Sequence, residues 1–210
     1  MSVPDGVDHL VFAVPELEAG VRAVEERLGV PLAPGGTHRG AGTHNALLGL
    51  GPRCYLEVIA PDPAQPEPSR PRMFGLRPGL TPRLVGWSVR REDLAAQRAA
   101  AAAAGFELGE VESMSRERPD GSRLSWAFTD PRVVHEGGLI PFFINWGESD
   151  HPAGALATEA ELVGLEAEHP DPTRLEAALN ALGTPLRIAP GTRPALVATL
   201  ATGRGRVRLS

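Results

Sequence analysis

Two residues in the first sixty, His9 and Glu57, combine a chemically active side chain with a position that faces inward from a predicted strand. Along VDHLVFAV, residues 7–14, apolar residues alternate so that His9 lies on the face opposite the bulkiest of them. The residues of CYLEVIA, 54–60, alternate in the same way, and Glu57 lies on the inward face of this predicted strand. An isolated carboxylate is costly to bury, so we expect Glu57 to face a cation, a metal ion or surroundings that favour its protonated form. His9 has two interpretations, a ligand or catalytic group and a core histidine bonded to the backbone.

A second group of polar residues lies in the passage HRGAGTHN, residues 38–45. Glycines at positions 40 and 42 allow the backbone to approach a ligand closely, and His38 and Arg39 can bind an anionic or carbonyl oxygen. His44 either contributes to the same site, with Asn45 beside it, or is a side chain at the start of a strand that bonds to a neighbouring carbonyl. Tyr55 is expected to line the same pocket, although aromatic residues at strand spacing are more often part of the core.

The hydrophobic periodicity predicts that a strand–helix–strand–strand–strand unit is repeated along the chain. The first unit covers 1–60, and its helix ends at Gly29. A proline-rich segment, 61–82, is a linker or a wall over a site. A second unit covers 83–150, with a hairpin turn at Pro119-Asp120-Gly121, and a third, divergent unit covers 151–210. We therefore predict an α+β fold of three βαβββ units whose cupped mixed sheets enclose a cavity.

Composition and charge favour a cytoplasmic protein and disfavour two classes of partner. The net charge is −5 and the pI is near 5.7, which argues against nucleic acid and anionic membrane surfaces as partners. The N-terminus lacks the features of a secretion signal, and no apolar run is long enough for a membrane span. Cys54 is the single cysteine and is expected to pack as a small apolar residue. The absence of lysine excludes Schiff-base chemistry by a lysine amine.

The repeated unit that begins DHLV and ends YLEVIAPD, with GTHNALL between them, resembles the glyoxalase-like branch of the vicinal oxygen chelate superfamily. The resemblance covers residues 5–150. It implies a cup in which each unit offers one metal ligand from its first strand and one from its last strand. His9 and Glu57 match these two positions in the first unit.

The second unit departs from the superfamily pattern. Its first-strand position falls on Leu84 or on Gly86, and its last-strand position falls on Asn145. Leucine cannot bind a metal, and an amide is a weak neutral ligand. If His44 joins His9 and Glu57, two histidines and one carboxylate would hold a divalent iron, manganese, nickel or zinc ion and leave a face open for substrate.

Two classes of function follow from the resemblance. The first is a metal-dependent isomerase or lyase that acts on a small oxygenated substrate chelating through vicinal oxygens, with Glu57 or His44 as the proton shuttle. The second is a metal-free protein that sequesters a small molecule, as bleomycin-resistance proteins do. In either case His38, Arg39, Asn45, Tyr55 and Asn145 are the expected ligand-binding residues. The third unit is expected to cover a sheet edge, to extend the sheet or to form a homodimer contact.

Overall fold

A computed structural model describes residues 2–117 and 123–210, and the predicted hairpin turn at Pro119 to Gly121 lies outside these ranges. Three α-helices and twelve β-strands are found in the described ranges. The helices are α1 (Leu17–Leu28), α2 (Leu94–Ala103) and α3 (Pro172–Ala181). The strands are β1 (Val7–Ala13), β2 (Ala33–His38), β3 (Thr43–Gly51), β4 (Cys54–Pro61), β5 (Arg83–Arg90), β6 (Val111–Glu117), β7 (Arg123–Thr129), β8 (Phe142–Asn145), β9 (Ala160–His169), β10 (Arg187–Pro190), β11 (Ala195–Thr202) and β12 (Gly205–Leu209).

The first two units join into one eight-stranded mixed sheet, in the order β2-β3-β4-β1-β5-β8-β7-β6. In each unit the first strand runs parallel to the last, and β1 and β5 pair antiparallel at the centre. The sheet curves until its two edge strands, β2 and β6, approach each other, and Arg116 of β6 donates to the backbone oxygen of Gly35 in β2. The cupped mixed sheet predicted from the sequence is confirmed.

Alternation along β1 separates two hydrophobic clusters. Leu10 and Phe12 lie on the convex face, in a large core with α1 and α2, whereas Val11 and Ala13 lie on the concave face. The α1 helix begins at the side chain of Glu16, which accepts from two backbone amides, and ends at Gly29, whose φ of 75° suits glycine. The helices therefore cover the outside of the cup and leave the concave face for a cavity.

The third unit repeats the order of the elements but not the pairing of the strands. Its four strands form a separate sheet, β10-β9-β11-β12, in which β9 is parallel to the adjacent β10 and antiparallel to β11. This sheet does not extend the larger one. Its apolar residues, including Leu165 and Leu200, belong to the same core as the convex face, and β9 and β11 contact β3 and β5. The third unit thus covers the outside of the cup.

The proline-rich segment is a wall rather than an extended linker. Met73 and Phe74 are buried against the concave face, and the Phe74 ring contacts the Phe142 ring at 5.4 Å between centroids. Arg72 ties the segment to the turn before β3 by donating to the backbone oxygen of Gly42. None of the helices in the described ranges is long and apolar enough for a bilayer crossing.

Candidate functional site

Four neighbouring strands of the first unit place one polar side chain each on the same concave face. These residues are His9 on β1, His38 on β2, Asn45 on β3 and Glu57 on β4. The strand register explains this, because Glu57 pairs with Leu47 on β3, and Asn45 lies two residues from Leu47 and so shares its face. All four side chains line one cavity.

Glu57 lies between the two imidazoles. Its Oε1 accepts a hydrogen bond of 2.6 Å from Asn45 Nδ2 and lies 3.9 Å from His38 Nε2, while its Oε2 lies 3.9 Å from His9 Nε2. The residue is 6% exposed. A buried carboxylate at this position is stabilised by the amide and can accept a proton or a further hydrogen bond from a ligand hydroxyl.

Asp8 fixes the orientation of His9, and the sequence analysis did not identify it. Asp8 is fully buried and accepts hydrogen bonds from His9 Nδ1 at 2.7 Å, Trp146 Nε1 at 2.9 Å and His151 Nε2 at 3.0 Å, with Arg90 at 3.4 Å. Burial alone would raise the pKa of Asp8, but the hydrogen bonds and charges of His151 and His9 outweigh it and hold the pKa well below its ordinary value. A proton on His9 Nδ1 satisfies ionised Asp8, and in the neutral imidazole this tautomer leaves the Nε2 lone pair facing the cavity.

His38 is a neutral imidazole beside Glu57. Burial is the main cause that lowers its pKa, and the nearby positive charge of Arg116 acts in the same direction against the attraction of Glu57. Its Nδ1 lies 3.0 Å from Thr43 Oγ1, and its Nε2 lies 3.4 Å from Asn45 Nδ2. Because Asn45 donates to Nε2, Nδ1 carries the proton and donates to Thr43. Both ring nitrogens of His38 are therefore bonded to neighbouring side chains, and the ring lines the cavity without a positive charge.

Aromatic and thioether side chains form the rest of the cavity, which encloses about 570 Å³ when the part open to solvent is included. Tyr55 stacks on His9 with ring centroids 4.6 Å apart and planes inclined by 14°. Burial raises the pKa of Tyr55 well above its usual value, so its hydroxyl stays protonated. Other large apolar lining side chains come from the proline-rich wall and the second unit and include Met73, Phe74, Met114, Trp126, Phe128, Phe142, Ile144 and Trp146.

The second unit presents no acid or imidazole at the positions that match His9 and Glu57. On β5, Leu84 packs into the core on the convex face. Gly86 pairs with Val11, and a Cβ added to it would lie 3.4 Å from the Phe74 ring on the concave side. On β8 the cavity-lining residues are Phe142 and Ile144. Asn145 faces away, donating to Glu92 O and accepting from Gly147 N, so it does not line this cavity. The expected position of Asn145 was shifted by one residue along a strand of only four residues.

His44 is not brought together with His9 and Glu57. It precedes Asn45 on β3, and alternation directs it to the opposite face of the sheet, where its Nδ1 lies 4.0 Å from Asp62. Arg39 follows β2 and lies in the opening beside the cavity. The expected ligand set of His9, Glu57 and His44 is therefore not assembled.

The polar residues of the cavity do not fit a divalent metal. Within the described ranges, no three His, Cys, Asp or Glu side chains converge where they could hold an ion. One oxygen of Glu57 already accepts from Asn45, and the second unit adds no ligating side chain at the matching positions. The arrangement instead resembles an acid–base site, with one oriented imidazole next to one carboxylate.

Comparison with known proteins identifies the family. A glyoxalase-like domain family model matches residues 7–183. Among curated protein sequences, no significant match was found. The fold is similar to that of a hypothetical protein from Staphylococcus aureus, with a TM-score of 0.61 and 15% identity over 96% of this chain and 84% of that one.

Two further solved structures align more loosely. Methylmalonyl-CoA epimerase from Mycobacterium tuberculosis aligns at 21% identity over 69% of this chain and 88% of its own, with a TM-score of 0.39. A hypothetical protein from Bacillus halodurans aligns at 16% identity over 69% and 96%, with a TM-score of 0.42. The family match spans both halves of the cup, and the chain belongs to the glyoxalase-like domain family of the vicinal oxygen chelate superfamily.

Proposed function

We propose that this protein is an isomerase- or lyase-type enzyme in which His9 and Glu57 transfer protons on a small oxygenated substrate. The observation that carries the proposal is the Asp8–His9 pair. A fully buried carboxylate holds Nδ1 of His9 at 2.7 Å, and the other ring nitrogen faces a cavity and a second carboxylate. Acid–base catalysts are commonly oriented in this way.

Each residue has a defined part in the proposed reaction. Nε2 of His9 removes a proton next to a substrate carbonyl, and ionised Asp8 stabilises the imidazolium that forms. Glu57 accepts the hydrogen bond of a substrate hydroxyl and keeps that oxygen beside His9, while Asn45 holds Glu57 in place. For isomerisation, the imidazolium returns the proton to the former carbonyl carbon, while Glu57 takes the proton of the substrate hydroxyl and delivers it to the former carbonyl oxygen. Where the substrate carries a hydroxyl β to its carbonyl, the imidazolium instead protonates that hydroxyl as its C–O bond breaks, which gives elimination of water.

The reacting end of the substrate faces the first unit, and its apolar part faces the second. The imidazoles and the carboxylate of the cavity come from β1, β2 and β4, whereas Trp126, Phe142 and Ile144 form the opposite wall. Stacking of Tyr55 on His9 excludes water from one side of the imidazole. Exclusion of water strengthens the interaction of His9 with Asp8 and with developing charge on the substrate.

A metal-free binding protein is the second candidate. The observation that favours it is the lining itself, because aromatic and methionine side chains surround most of the cavity and the second unit contributes no acid or base at the matching positions. Such a cavity would hold an apolar or cationic molecule by stacking and by cation–π contact. In this case Glu57 would fix the orientation of the ligand and no bond would be broken.

Deuterium exchange distinguishes the two candidates. A panel of small α-hydroxy carbonyl compounds is incubated with the protein in D₂O, and exchange of the C–H proton is followed by NMR. The enzyme proposal expects exchange that falls by about a hundredfold or more in His9→Asn and in Glu57→Gln. His44→Asn is the matched control, since this histidine lies on the other face of the sheet, and it should retain the exchange. Binding of panel members without exchange would replace the enzyme proposal with the binding protein.

Metal content is tested separately. Elemental analysis of protein purified without chelator, in the wild type and in His9→Ala, asks whether His9 and Glu57 hold an ion together with external ligands. The proposed acid–base reaction expects exchange that survives extensive treatment with chelator. Stoichiometric metal that is lost in His9→Ala, together with exchange that requires it, would overturn the metal-free mechanism. We also propose that the protein is a cytoplasmic homodimer. Light scattering in solution tests its oligomeric state.

A further inference from the structure

The eight-stranded sheet is open along the seam between its edge strands. The seam cleft, lined by β2 and β6 with part of β7, contains about 1280 Å³ of space including open solvent. Hydroxyl and guanidinium groups line it, from Thr37, Arg39, Ser113, Ser115, Arg116 and Arg123. A cleft of this composition can offer many hydrogen-bond donors to one ligand.

The described lining of the seam cleft carries positive charge, although the protein has a net charge of −5. Arg39, Arg116 and Arg123 contribute three guanidinium groups, and none of its lining residues in the described ranges is acidic. Guanidinium groups bind carboxylate and phosphate oxygens through paired hydrogen bonds. The charge at the seam therefore selects for an anionic group.

Arg116 is positioned at the seam by the glycines opposite. It donates to the backbone oxygen of Gly35, and a Cβ atom added to Gly36 would lie 2.9 Å from Arg116 Nη1. Any larger residue at position 36 would displace the guanidinium. The absence of a side chain at 36 thus allows a cation of the second unit to reach the first unit.

The seam cleft is continuous with the cavity. His38, Met114, Arg116 and Trp126 line both spaces. One molecule can therefore place an apolar part against Trp126 and a charged part among the arginines, while its other end reaches Glu57.

We propose that the seam cleft is an anion subsite and that the substrate carries a carboxylate or phosphate joined to an apolar body. This inference rests on the proposed function, since it names the substrate class of the same site. The apolar body fills the aromatic part of the cavity, and the anion binds to Arg39 and Arg123, whereas Arg116 is held by Gly35 and lines both spaces. A carboxylate and a phosphate would both bind to these guanidinium groups, and the choice of probes distinguishes the two.

Binding of matched probes tests the subsite. Isothermal titration compares 4-phenylbutyrate, 3-phenylpropyl phosphate and the uncharged 4-phenylbutyramide. We expect the better anionic probe to bind about tenfold more tightly than the amide, because a charge-assisted hydrogen bond exceeds a neutral one. The preference should shrink as the salt concentration rises, since the arginines at positions 39 and 123 are exposed.

Variants locate the subsite. Arg39→Ala combined with Arg123→Ala should abolish the preference for the anion and leave binding of the amide unchanged, whereas Arg39→Lys should retain part of it. Arg22→Ala is the control, because this arginine is exposed on α1. Equal affinity of all three probes, or an anion preference that survives the double variant, would overturn the subsite.

The two proposals fail separately. Loss of the anion preference leaves the deuterium-exchange result untouched. A protein that prefers the anion but catalyses no exchange keeps the subsite and becomes the binding protein with an anionic ligand.

Discussion

Replacing Asp8 with asparagine tests whether this buried carboxylate is the ionised centre of the site. Asparagine has nearly the same shape, but it lacks the negative charge and turns an amide group toward one of the donors. Asp8 accepts from His9, Trp146 and His151 at 2.7, 2.9 and 3.0 Å in a fully buried position. Hydrogen bonds to a charged group contribute about 1.5–3 kcal/mol each. Because asparagine keeps one acceptor oxygen, we expect the free energy of unfolding to fall by about 2–4 kcal/mol.

Calorimetry and urea unfolding measure this loss. In a chain of this size, the expected loss lowers Tm by about 5–15 °C. Asp5→Asn, at an exposed aspartate three residues earlier, is the control and should leave Tm unchanged. A difference below about 1 kcal/mol between Asp8→Asn and the wild type would refute the ionised centre.

The pH dependence gives a second check on Asp8. Because its pKa is lower in the folded state, the unfolded chain binds the proton first as the pH falls. The stabilisation by Asp8 is then complete above about pH 4 and is lost progressively below it. The stability difference between the wild type and Asp8→Asn should therefore decrease in acid, and a difference that grows below pH 4 would contradict the assignment.

Three further predictions address other parts of the molecule. Burial lowers the pKa of His38 in the folded state, so the free energy of unfolding should decrease as the pH falls from about 6.5 toward the pKa of the folded state. In urea titrations, His38→Gln should remove this part of the pH dependence of stability. Gly35→Ala should destabilise the protein by about 1–3 kcal/mol, because its Cβ would lie 2.0 Å from Asn45 Oδ1, whereas Gly154→Ala has open space and should unfold at the wild-type temperature. A chain that ends at residue 158 lacks β9 and β11, which pack against β3 and β5. Because the apolar face of the larger sheet would then be exposed, this chain should bind an apolar dye and sediment as aggregates. A soluble monomer that binds no dye would show that the third unit is dispensable for folding.

Local patterns were sufficient to predict the first and last strands and the helix of the first unit. Alternation in VDHLVFAV and CYLEVIA separated the two faces of β1 and β4, and His9 and Glu57 lie on the predicted side. The helix that ends at Gly29 was also predicted from spacing. These features depend on contacts within a few residues or between adjacent strands, which is why one sequence is enough to predict them.

The rest of the site depends on contacts between distant parts of the chain. Asp8 is paired with Trp146 and His151, which lie about 140 residues later, and its own position gave no sign of these partners. His44 and Asn45 were both named as site residues, and the pairing of β3 with β4 places Asn45 on the face of Glu57 and His44 on the opposite face. The roles of His9, Glu57, His38, Arg39 and Tyr55 stay predictions until the exchange and binding experiments are done.

The first two units contribute different kinds of residue to the cavity, and this affects how its ligand specificity can be altered. In the described part of the cavity, the imidazoles and the carboxylate belong to the first sixty residues, while Met114, Trp126 and Ile144 provide much of the facing wall. Substitutions in that wall would change the shape available to a ligand and leave the protonation equilibria of the reacting groups in place. Libraries randomised at these three positions could therefore yield proteins of altered substrate range from a single conserved reaction centre.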